Sequence, residues 1–584
     1  MSVEGSGSVE ARLRTWDAED VAARLWRRDG SLWSPSGKKP DALAAWLGWL
    51  DLSAEMRARV GELEHLVRDI TADGYRRAAV LGMGGSSLAP ELFARTFGRQ
   101  GSGAGDGSVG SVTRASAEPL ELRILDSTHP DAVRGFREWA ASARTLFCVS
   151  SKSGTTTEPN AYHAAMSAVA PALDFVAITD PETPLVELAR AQEFRAIVEA
   201  PPDVGGRYSA LTVFGLVPAA LGGVDLGRLL DAANEMADAC RRSASQNPGL
   251  RLGAHIGEWA RAGRDKLTVV VGDRITSFGD WVEQLLAEST GKQGTGIVPI
   301  VGEPLTSAAD YADDRAFVLL HLADDATHDW SAAAEELRRA GHPVEELVLK
   351  DPYALGGEFV RWEVATAAAG MVLGIDPFDQ PNVQESKDAT RELLDVYRRD
   401  GALPLPAPVV TAEGISVTAD PATLGDTPVS VAGAVRQLIE LIAPGRDYFA
   451  LLAYLPPDPD VVERLERIRL GVRAATRCAT TLGLGPRYLH STGQLHKGGP
   501  DTGVFLQLTA EPRKDLPIPG WSESFGTLIA AQAIGDLASL QRRRRRVLRL
   551  HLADLDSGLS QVEALVAQAL PAGIGVGGAA SVSS

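Results

Sequence analysis

Short apolar strands alternate with helical segments along most of this sequence, and this alternation constrains the fold more than any other feature. Candidate strands before residue 250 are the runs 78–81, 122–125, 145–149, 175–179 and 196–198, and those after it are 267–271, 317–320 and 347–349. Strands that are apolar on both faces and separated by helices are typical of parallel sheets covered on both sides. The sequence therefore predicts two α/β layers.

The rest of the chain completes the predicted domain organisation, because 584 residues exceed what one hydrophobic core can hold. We predict an N-terminal helical segment (1–70), a first α/β domain (71–250), a second (251–400) and a C-terminal α/β segment (401–572) that completes the second domain. In that last segment the candidate strands are 448–454, 504–508 and 547–552, and the candidate helices are 461–481 and 526–540. The Gly- and Ser-rich stretch 101–117 is interpreted as a surface insertion, and residues 573–584 as a disordered tail.

Composition and charge exclude several classes of protein. No apolar run reaches the ~18 residues of a membrane-spanning helix, and the N-terminus lacks the pattern of a signal peptide, so we expect a cytoplasmic protein without membrane contacts. Cys148, Cys240 and Cys478 are too few for a disulfide framework and lack metal-ligand spacing. The formal net charge of −18 argues against nucleic-acid binding. An anionic substrate would therefore need a locally positive site.

Two loops rich in glycine and hydroxyl groups follow predicted strands. Residues 81–88, LGMGGSSL, place Ser86 and Ser87 at the start of a helix, where orphan N–H groups and the helix dipole attract anions. Residues 150–159, SSKSGTTTEP, add several hydroxyls and the charge of Lys152. Each loop alone could be a solvated turn, but the carboxyl ends of parallel strands meet at the edge where open sheets bind ligands. Together the loops favour a sugar-phosphate pocket.

Three further motifs contain candidate catalytic side chains. Residues 203–209, DVGGRYS, place Arg207 after two glycines, where it either bridges two loops or holds an oxyanion. Residues 281–296, WVEQLLAESTGKQGTG, put Glu288 at the end of an apolar helix; a raised pKa there would suit a general base, although a surface glutamate fits the same pattern. In residues 378–387, FDQPNVQESK, Gln380 and Lys387 lie about two helical turns apart if Pro381 begins a helix.

In this order the five motifs resemble those of the phosphoglucose isomerases, over about residues 75–390. The flanks, LWRRDGSLW and RYLHSTGQLHKGGP, are most similar to the isomerase half of bacterial transaldolase–phosphoglucose isomerase fusions; without a transaldolase half, we expect isomerase activity alone. The resemblance implies two sugar-isomerase (SIS, flavodoxin-like) domains with parallel sheets flanked by helices, plus a C-terminal α/β extension. It also implies reversible interconversion of glucose 6-phosphate and fructose 6-phosphate through an enediolate, without cofactor or metal. The family is usually a homodimer with its active sites at the subunit interface.

The resemblance implies a role for each motif. Glu288 matches the base that moves a proton between C1 and C2, Arg207 the residue that stabilises the enediolate, and Lys387 the lysine implicated in ring opening. The implied substrate contacts are Gly85, Ser86, Ser151, Lys152, Ser153, Thr155, Thr156, Gln284 and Gln380.

Two departures from the family pattern matter. Asn382 stands where relatives usually have a small residue, which leaves the packing of the lysine helix open. Relatives also carry a ring-opening histidine between the glutamate and lysine motifs, but residues 302–316 contain none, and the string LHSTGQ lies downstream at 489–494. We hypothesise that His490 opens the ring, with His496 as the second candidate. The alternative is a histidine that only anchors a loop.

Two other functions fit parts of the pattern. A dual phosphoglucose/phosphomannose isomerase would also turn over mannose 6-phosphate. A non-catalytic sugar-phosphate sensor would keep the phosphate loops but could lack Glu288 or Lys387, or carry a DNA-binding helix-turn-helix. The sequence retains both residues and has no such appendage, which favours the enzyme.

Overall fold

A computed structural model of the chain describes residues 4–98, 119–325, 330–420, 425 and 427–571. The predicted insertion at 101–117 and the predicted tail at 573–584 lie outside these residues. Within them the strands form three separate sheets.

The described strands are short and largely buried. They are β1 (Arg77–Leu81), β2 (Glu121–Leu125), β3 (Thr145–Ser150), β4 (Phe175–Thr179), β5 (Ala196–Glu199), β6 (Lys266–Val271), β7 (Val298–Ile300), β8 (Arg315–Leu322), β9 (Val344–Leu349), β10 (Val410–Ala412), β11 (Ile415–Ala419), β12 (Tyr448–Tyr454), β13 (Ala479–Leu484), β14 (Gly503–Ala510) and β15 (Arg546–Leu552). All eight strands predicted before residue 350 are confirmed, and the three-residue β7 is an addition.

The helices cover the sheets, and several begin with proline, whose fixed φ and missing N–H suit the first helical position. They are α1 (Glu4–Ala18), α2 (Val21–Trp26), α3 (Pro40–Ala44), α4 (Leu52–Ala72), α5 (Leu88–Phe97), α6 (Pro130–Ala141), α7 (Thr157–Ser167), α8 (Pro184–Ala191), α9 (Val213–Leu221), α10 (Leu226–Ala239), α11 (Pro248–Arg261), α12 (Ser277–Thr290), α13 (Ser331–Arg339), α14 (Leu355–Leu373), α15 (Pro381–Asp400), α16 (Val431–Glu440), α17 (Pro459–Thr476), α18 (Gly493–Gly498), α19 (Phe525–Arg542) and α20 (Leu555–Ala569). Among the residues that the structure describes, no helix combines the length and hydrophobicity needed to span a membrane.

The first two sheets share one topology. The first has the order β2-β1-β3-β4-β5 and the second β7-β6-β8-β9, and all pairs are parallel. In each sheet the second strand lies on one side of the first and the third strand on the other, so the chain leaves the neighbouring first and third strands in opposite directions. The crevice at such a switch point is where open α/β sheets bind ligands. In the first sheet that crevice lies between the two hydroxyl-rich loops, which follow β1 and β3.

The C-terminal segment forms a third sheet with the order β10-β11-β15-β14-β12-β13. Strands β12 to β15 are parallel, and the β10–β11 hairpin lies antiparallel at one edge. From the sequence we predicted that this segment completes the second domain. In the structure the segment forms a sheet of its own. The division of the chain into domains stays a prediction. The predicted helix 461–481 was wrong at its end, since α17 stops at Thr476. There Arg477 takes a left-handed φ of 59°, and β13 follows.

The helix that carries Glu288 is held by an apolar core shared by the N-terminal helices and the first two sheets. On α12 the buried Trp281 meets Phe359 of α14 edge to face, with ring centroids 4.7 Å apart. Such aromatic contacts add to the burial that fixes a helix in place. The outer face of the third sheet has a separate core, made with α16, α17 and α20.

A buried ionic cluster joins the second and third sheets. Glu303, after β7, accepts hydrogen bonds from the Thr480 backbone N–H (2.9 Å) and hydroxyl (2.7 Å) at the start of β13. The same carboxylate pairs with Arg315 of β8 and lies 3.6 Å from Nε of Arg473 on α17. Burial raises the pKa of Glu303, but the two arginine charges outweigh it and hold the pKa below its ordinary value.

We expect Glu303→Gln to lower the free energy of unfolding by about 3–5 kcal/mol, because it leaves two buried guanidinium groups without their carboxylate. Urea unfolding followed by tryptophan fluorescence measures this. The control is Glu463→Gln, which removes the exposed partner of Arg467 and should change stability little. Equal effects of the two substitutions would contradict a structural role for the cluster.

Candidate active site

Glu288 lies in the last turn of α12, buried beside Arg207. Its Oε1 is 3.7 Å from Arg207 Nη1, and its Oε2 accepts a hydrogen bond of 3.2 Å from Nε2 of Gln284. Gln284 is one turn earlier on the same helix face, as the i, i+4 spacing requires. The predicted base is therefore positioned by an amide on one oxygen and faces a cation with the other.

Arg207 is almost fully paired. It lies in the turn Gly206–Tyr208, and its Nε donates to Ser289 Oγ at 2.7 Å. Nη2 donates to the carbonyls of residues 377 (2.7 Å) and 379 (3.1 Å), and Nη1 donates to Oε1 of Gln380 at 3.0 Å. A guanidinium carries five N–H groups. One N–H, on Nη1, thus has no hydrogen-bond acceptor among the described residues, and this nitrogen is the one nearest Glu288.

Lys292 supports the same turn from the other side. Its buried ammonium donates to the Asp379 carbonyl and, at 2.9 Å, to Asp379 Oδ1. Burial, followed by the nearby Arg207 charge, lowers the pKa of Lys292 to about 8. Two cations therefore share the Asp379 carbonyl, which fixes the turn that presents Gln380.

His490 reaches this site from the third sheet. It ends the 3₁₀ turn Arg487–His490 in the β13–β14 connection, and 12% of its side chain is exposed. Its Nε2 lies 3.1 Å from Glu158 Oε1, and its backbone carbonyl accepts a hydrogen bond of 2.8 Å from Gln284. Since Gln284 also binds Glu288, one amide joins the base to the histidine turn.

Glu158, in the first turn of α7, orients the imidazole. Burial raises the pKa of its carboxyl, but the His490 charge, the His490 hydrogen bond and the Lys387 charge outweigh this effect, so the pKa lies below its ordinary value. Gln532 of α19 donates to the same oxygen at 2.7 Å. An ionised Glu158 accepts from Nε2–H, which leaves Nδ1 of His490 as the nitrogen that can exchange a proton with a substrate.

The second histidine candidate lies elsewhere. His496 is fully buried, and its Nδ1 is 2.9 Å from the Tyr448 hydroxyl in an aromatic cluster. Burial, and then the Lys497 charge, lowers its pKa to about 3, so it stays neutral. Of the two histidines, only His490 contacts the residues around Glu288.

The two hydroxyl-rich loops lie where the sequence predicted, at the β1/β3 crevice. A Cβ on Gly85 would come within 1.9 Å of the Gly206 carbonyl oxygen, so only glycine lets this loop meet the arginine turn. Ser86 is buried beside it. In the β3 loop Ser151 donates to Thr156 at 3.1 Å and Ser153 lies 2.9 Å from Thr155, with Ser153 and Thr155 exposed.

The two predicted lysines differ in their surroundings. Lys152 forms an ion pair with Asp180 and donates to the Pro202 carbonyl at 3.2 Å, so a phosphate would share this charge with Asp180. Asp180 follows β4, the next strand along the same sheet edge. Lys387 lies exposed on α15, where its charge acts on Glu158.

Sequence reasoning missed several residues of this site. Glu158 stands inside the quoted SSKSGTTTEP motif, and its place in the first turn of a helix after a strand is the signal that could have identified it. Ser289 and Lys292 lie in the quoted glutamate motif. Gln532 gave no local signal, because its contact with Glu158 spans 374 positions of sequence.

Two parallel sheets of this order carry hydroxyl-rich loops at the switch point and a buried carboxylate that faces an arginine, and sequence similarity supports a phosphosugar isomerase function for this site. The sequence is similar to glucose-6-phosphate isomerases: it is 27% identical to that of Carboxydothermus hydrogenoformans (60% of this chain, 85% of the relative) and 26% identical to that of Rubrobacter xylanophilus (58% and 92%). These similarities confirm the resemblance that the motifs indicated.

A solved structure shares the fold over part of this chain. The glucose-6-phosphate isomerase from Chlamydia trachomatis superposes with a TM-score of 0.51 at 17% identity, covering 67% of this chain and 86% of the other. No protein-family model matches the sequence.

The lowered pKa of Lys292 predicts a pH-dependent effect on stability. The unfolded chain, with an ordinary lysine pKa of about 10.4, binds more protons than the folded one between pH about 8 and about 10. The free energy of unfolding of the wild type should therefore rise through this window relative to Lys292→Met. Urea unfolding at both ends of the window measures it, with Lys350→Met, an exposed lysine, as the control. A difference that does not change with pH would contradict the prediction.

Proposed function

We propose that this protein interconverts glucose 6-phosphate and fructose 6-phosphate through an enediolate. The observation that carries the proposal is the buried Glu288 carboxylate beside the one N–H of Arg207 that has no acceptor among the described residues. A base next to an unused charged donor suits a reaction that removes a proton and creates a negative oxygen. The similarity to named glucose-6-phosphate isomerases supports this substrate.

The phosphate binds at the β1/β3 crevice. Ser86 and the loop 151–156 supply hydroxyl and backbone N–H groups, and α5 begins directly after the first loop. These groups offset the acidic charge of the whole chain at one point. In this position the sugar extends from the sheet edge toward Glu288 and His490.

Ring opening is the first chemical step. His490 and Lys387 transfer protons so that the C1 hydroxyl loses its proton while the ring oxygen O5 gains one, and the C1–O5 bond breaks to give the aldehyde. Glu158 stabilises the positive imidazole that forms when Nδ1 takes up a proton. The exposed Lys387 adds a positive charge on the same side, as its effect on Glu158 indicates.

Proton transfer between carbons follows. Glu288 removes the C2 proton, the electron pair forms the C1–C2 double bond, and O1 becomes negative. The remaining Nη1–H of Arg207 donates to the developing oxyanion. A proton then passes from the O2 hydroxyl to O1, and Glu288 returns its proton to C1, which gives the ketone at C2.

Gln284 accepts a hydrogen bond from a substrate hydroxyl beside Glu288. Its Oε1 is buried and accepts no hydrogen bond from any described residue, while its Nε2 is used by Glu288 and His490. A buried acceptor without a donor is costly. A sugar hydroxyl beside Glu288 would supply that donor.

The setting of the enzyme completes the proposal. We propose that it acts in the cytoplasm, on a sugar phosphate and without nucleic acid, and that it forms the homodimer implied by its resemblance to the family.

The first test is conversion of fructose 6-phosphate, coupled to a dehydrogenase specific for glucose 6-phosphate. Glu288→Gln should lower kcat by at least about 10²–10⁴-fold, because it removes the positioned base. Glu283 on the same helix is the matched control: burial and the nearby Asp280 raise its pKa to about 8, and Glu283→Gln should leave kcat nearly unchanged. A wild type that binds sugar phosphate without turnover would refute the proposal.

Anomerisation of glucose 6-phosphate tests the role of His490 separately, because it requires ring opening but no removal of the C2 proton. We expect His490→Asn to slow both enzyme-catalysed anomerisation and isomerisation, whereas Glu288→Gln slows isomerisation alone. Exchange NMR between the two anomers measures the first rate. Unchanged anomerisation in His490→Asn would show that the histidine only anchors its loop.

A further inference from the structure

One buried amide joins the three elements that carry Glu288, Lys387 and His490. Gln494 on α18 is fully buried. Its Nε2 donates to the Gly291 carbonyl (2.9 Å) and to Asn382 Oδ1 (2.7 Å), and its Oε1 accepts from the Asn382 backbone N–H (2.8 Å). Both amide protons and the amide oxygen are therefore used.

The partners of Gln494 are helix ends. Gly291 directly follows α12 as its C-cap, after the turn with Glu288, and Asn382 is the second residue of α15, which carries Lys387. Carbonyls at a helix C-terminus and N–H groups at a helix N-terminus lack partners within their helix. Gln494 provides a hydrogen-bond partner for one group of each kind, and it lies four residues after His490 in the sequence.

The backbones around this amide are in close contact. A Cβ on Gly291 would come within 2.4 Å of the Leu495 Cα, and one on Gly498 within 2.4 Å of Asn382 Oδ1. The Gly294 N–H also donates to the Gly498 carbonyl at 3.0 Å. Since close-packed elements cannot shift independently, α18 moves with the ends of α12 and α15.

Asn382 completes the arrangement. This residue stands where the family usually has a small one, and its side-chain oxygen is the acceptor that pairs with Gln494. The unusual asparagine and the downstream histidine segment are therefore parts of one contact.

We propose that Gln494 is a positioning residue that fixes the ring-opening groups His490 and Lys387 relative to the base Glu288. The inference deepens the proposed function and rests on it. An error of about 1 Å in the placement of reacting groups can cost about 10²-fold in rate. The phosphate loops belong to the first sheet, and none of the hydrogen bonds of Gln494 reaches them, so binding of the phosphate does not depend on this residue.

The test is Gln494→Met, which keeps a side chain of similar length and removes all three hydrogen bonds. We expect enzyme-catalysed anomerisation and isomerisation of glucose 6-phosphate to fall together by about 10²-fold, with the Kd for glucose 6-phosphate, from calorimetry, nearly unchanged. The matched control is Asn247→Leu. Asn247 is also fully buried and caps a helix, α11, but its side-chain hydrogen bonds stay within residues 240–250. The Asn247→Leu variant should be less stable than the wild type but keep its rates of anomerisation and isomerisation.

Each other result overturns the inference. Isomerisation that falls while anomerisation stays intact would mean that only the base is displaced. Rates that fall in parallel with substrate affinity, or equally in Asn247→Leu, would mean a general loss of structure. If Gln494→Met does not fold, Gln494→Glu is the second variant. It keeps the acceptor for the Asn382 N–H but places its other oxygen against the Gly291 carbonyl and Asn382 Oδ1, which are both acceptors. We expect the same pattern of rates from it. Absence of turnover in the wild type would instead refute the proposed function.

Discussion

The burial of the Arg207 guanidinium is the constraint on which the rest of the site depends. A buried charge is tolerated only when its donors are paired, and the partners here come from distant parts of the chain: Ser289 after the base, and the turn 377–380 before the lysine helix. Satisfying one side chain therefore brings the first sheet, α12 and α15 together. The N–H that remains is left facing Glu288, so the pairing that stabilises the fold also defines where a negative oxygen can form.

The third sheet contributes to the site through a connection rather than through its strands. The segment between β13 and β14 reaches the region between the first two sheets, where His490 meets Glu158 of α7 and Gln284 of α12. Ion pairs also anchor this segment: Arg487 pairs with Glu91 of α5 (2.6 Å) and with Asp126, directly after β2 (3.2 Å). The buried Glu303 cluster holds the sheet itself against β7 and β8. Together these contacts let a separate layer place His490, the proposed ring-opening group, in a defined orientation.

Local patterns predicted what local physics determines. The strands of the first two sheets, both hydroxyl-rich loops and the place of Glu288 at a helix end follow from apolar runs, glycines and helix spacing. Three contacts did not follow from such patterns: the ion pair of Lys152, the pairing of His490 with Glu158, and the hydrogen bonds of Gln494. Each of them joins residues from separate segments of the chain, so no local motif shows both partners. The end of α17 was also misjudged, since the residues after Arg477 continue the same apolar composition into a strand.

The contact between Glu158 and His490 has a consequence for when the proposed active site becomes complete during synthesis of the chain. Glu158 and His490 are 332 positions apart, and the sheet that holds His490 is complete only when β15, ending at Leu552, has been added. Domains fold as units while the ribosome is still extending the chain, the N-terminal ones first. A nascent chain that ends before the third sheet thus contains the hydroxyl-rich loops, Glu288, Arg207 and Lys387, but it lacks His490. On the proposed function, such a chain would bind sugar phosphate without opening its ring, and turnover would begin only after β15 has been added.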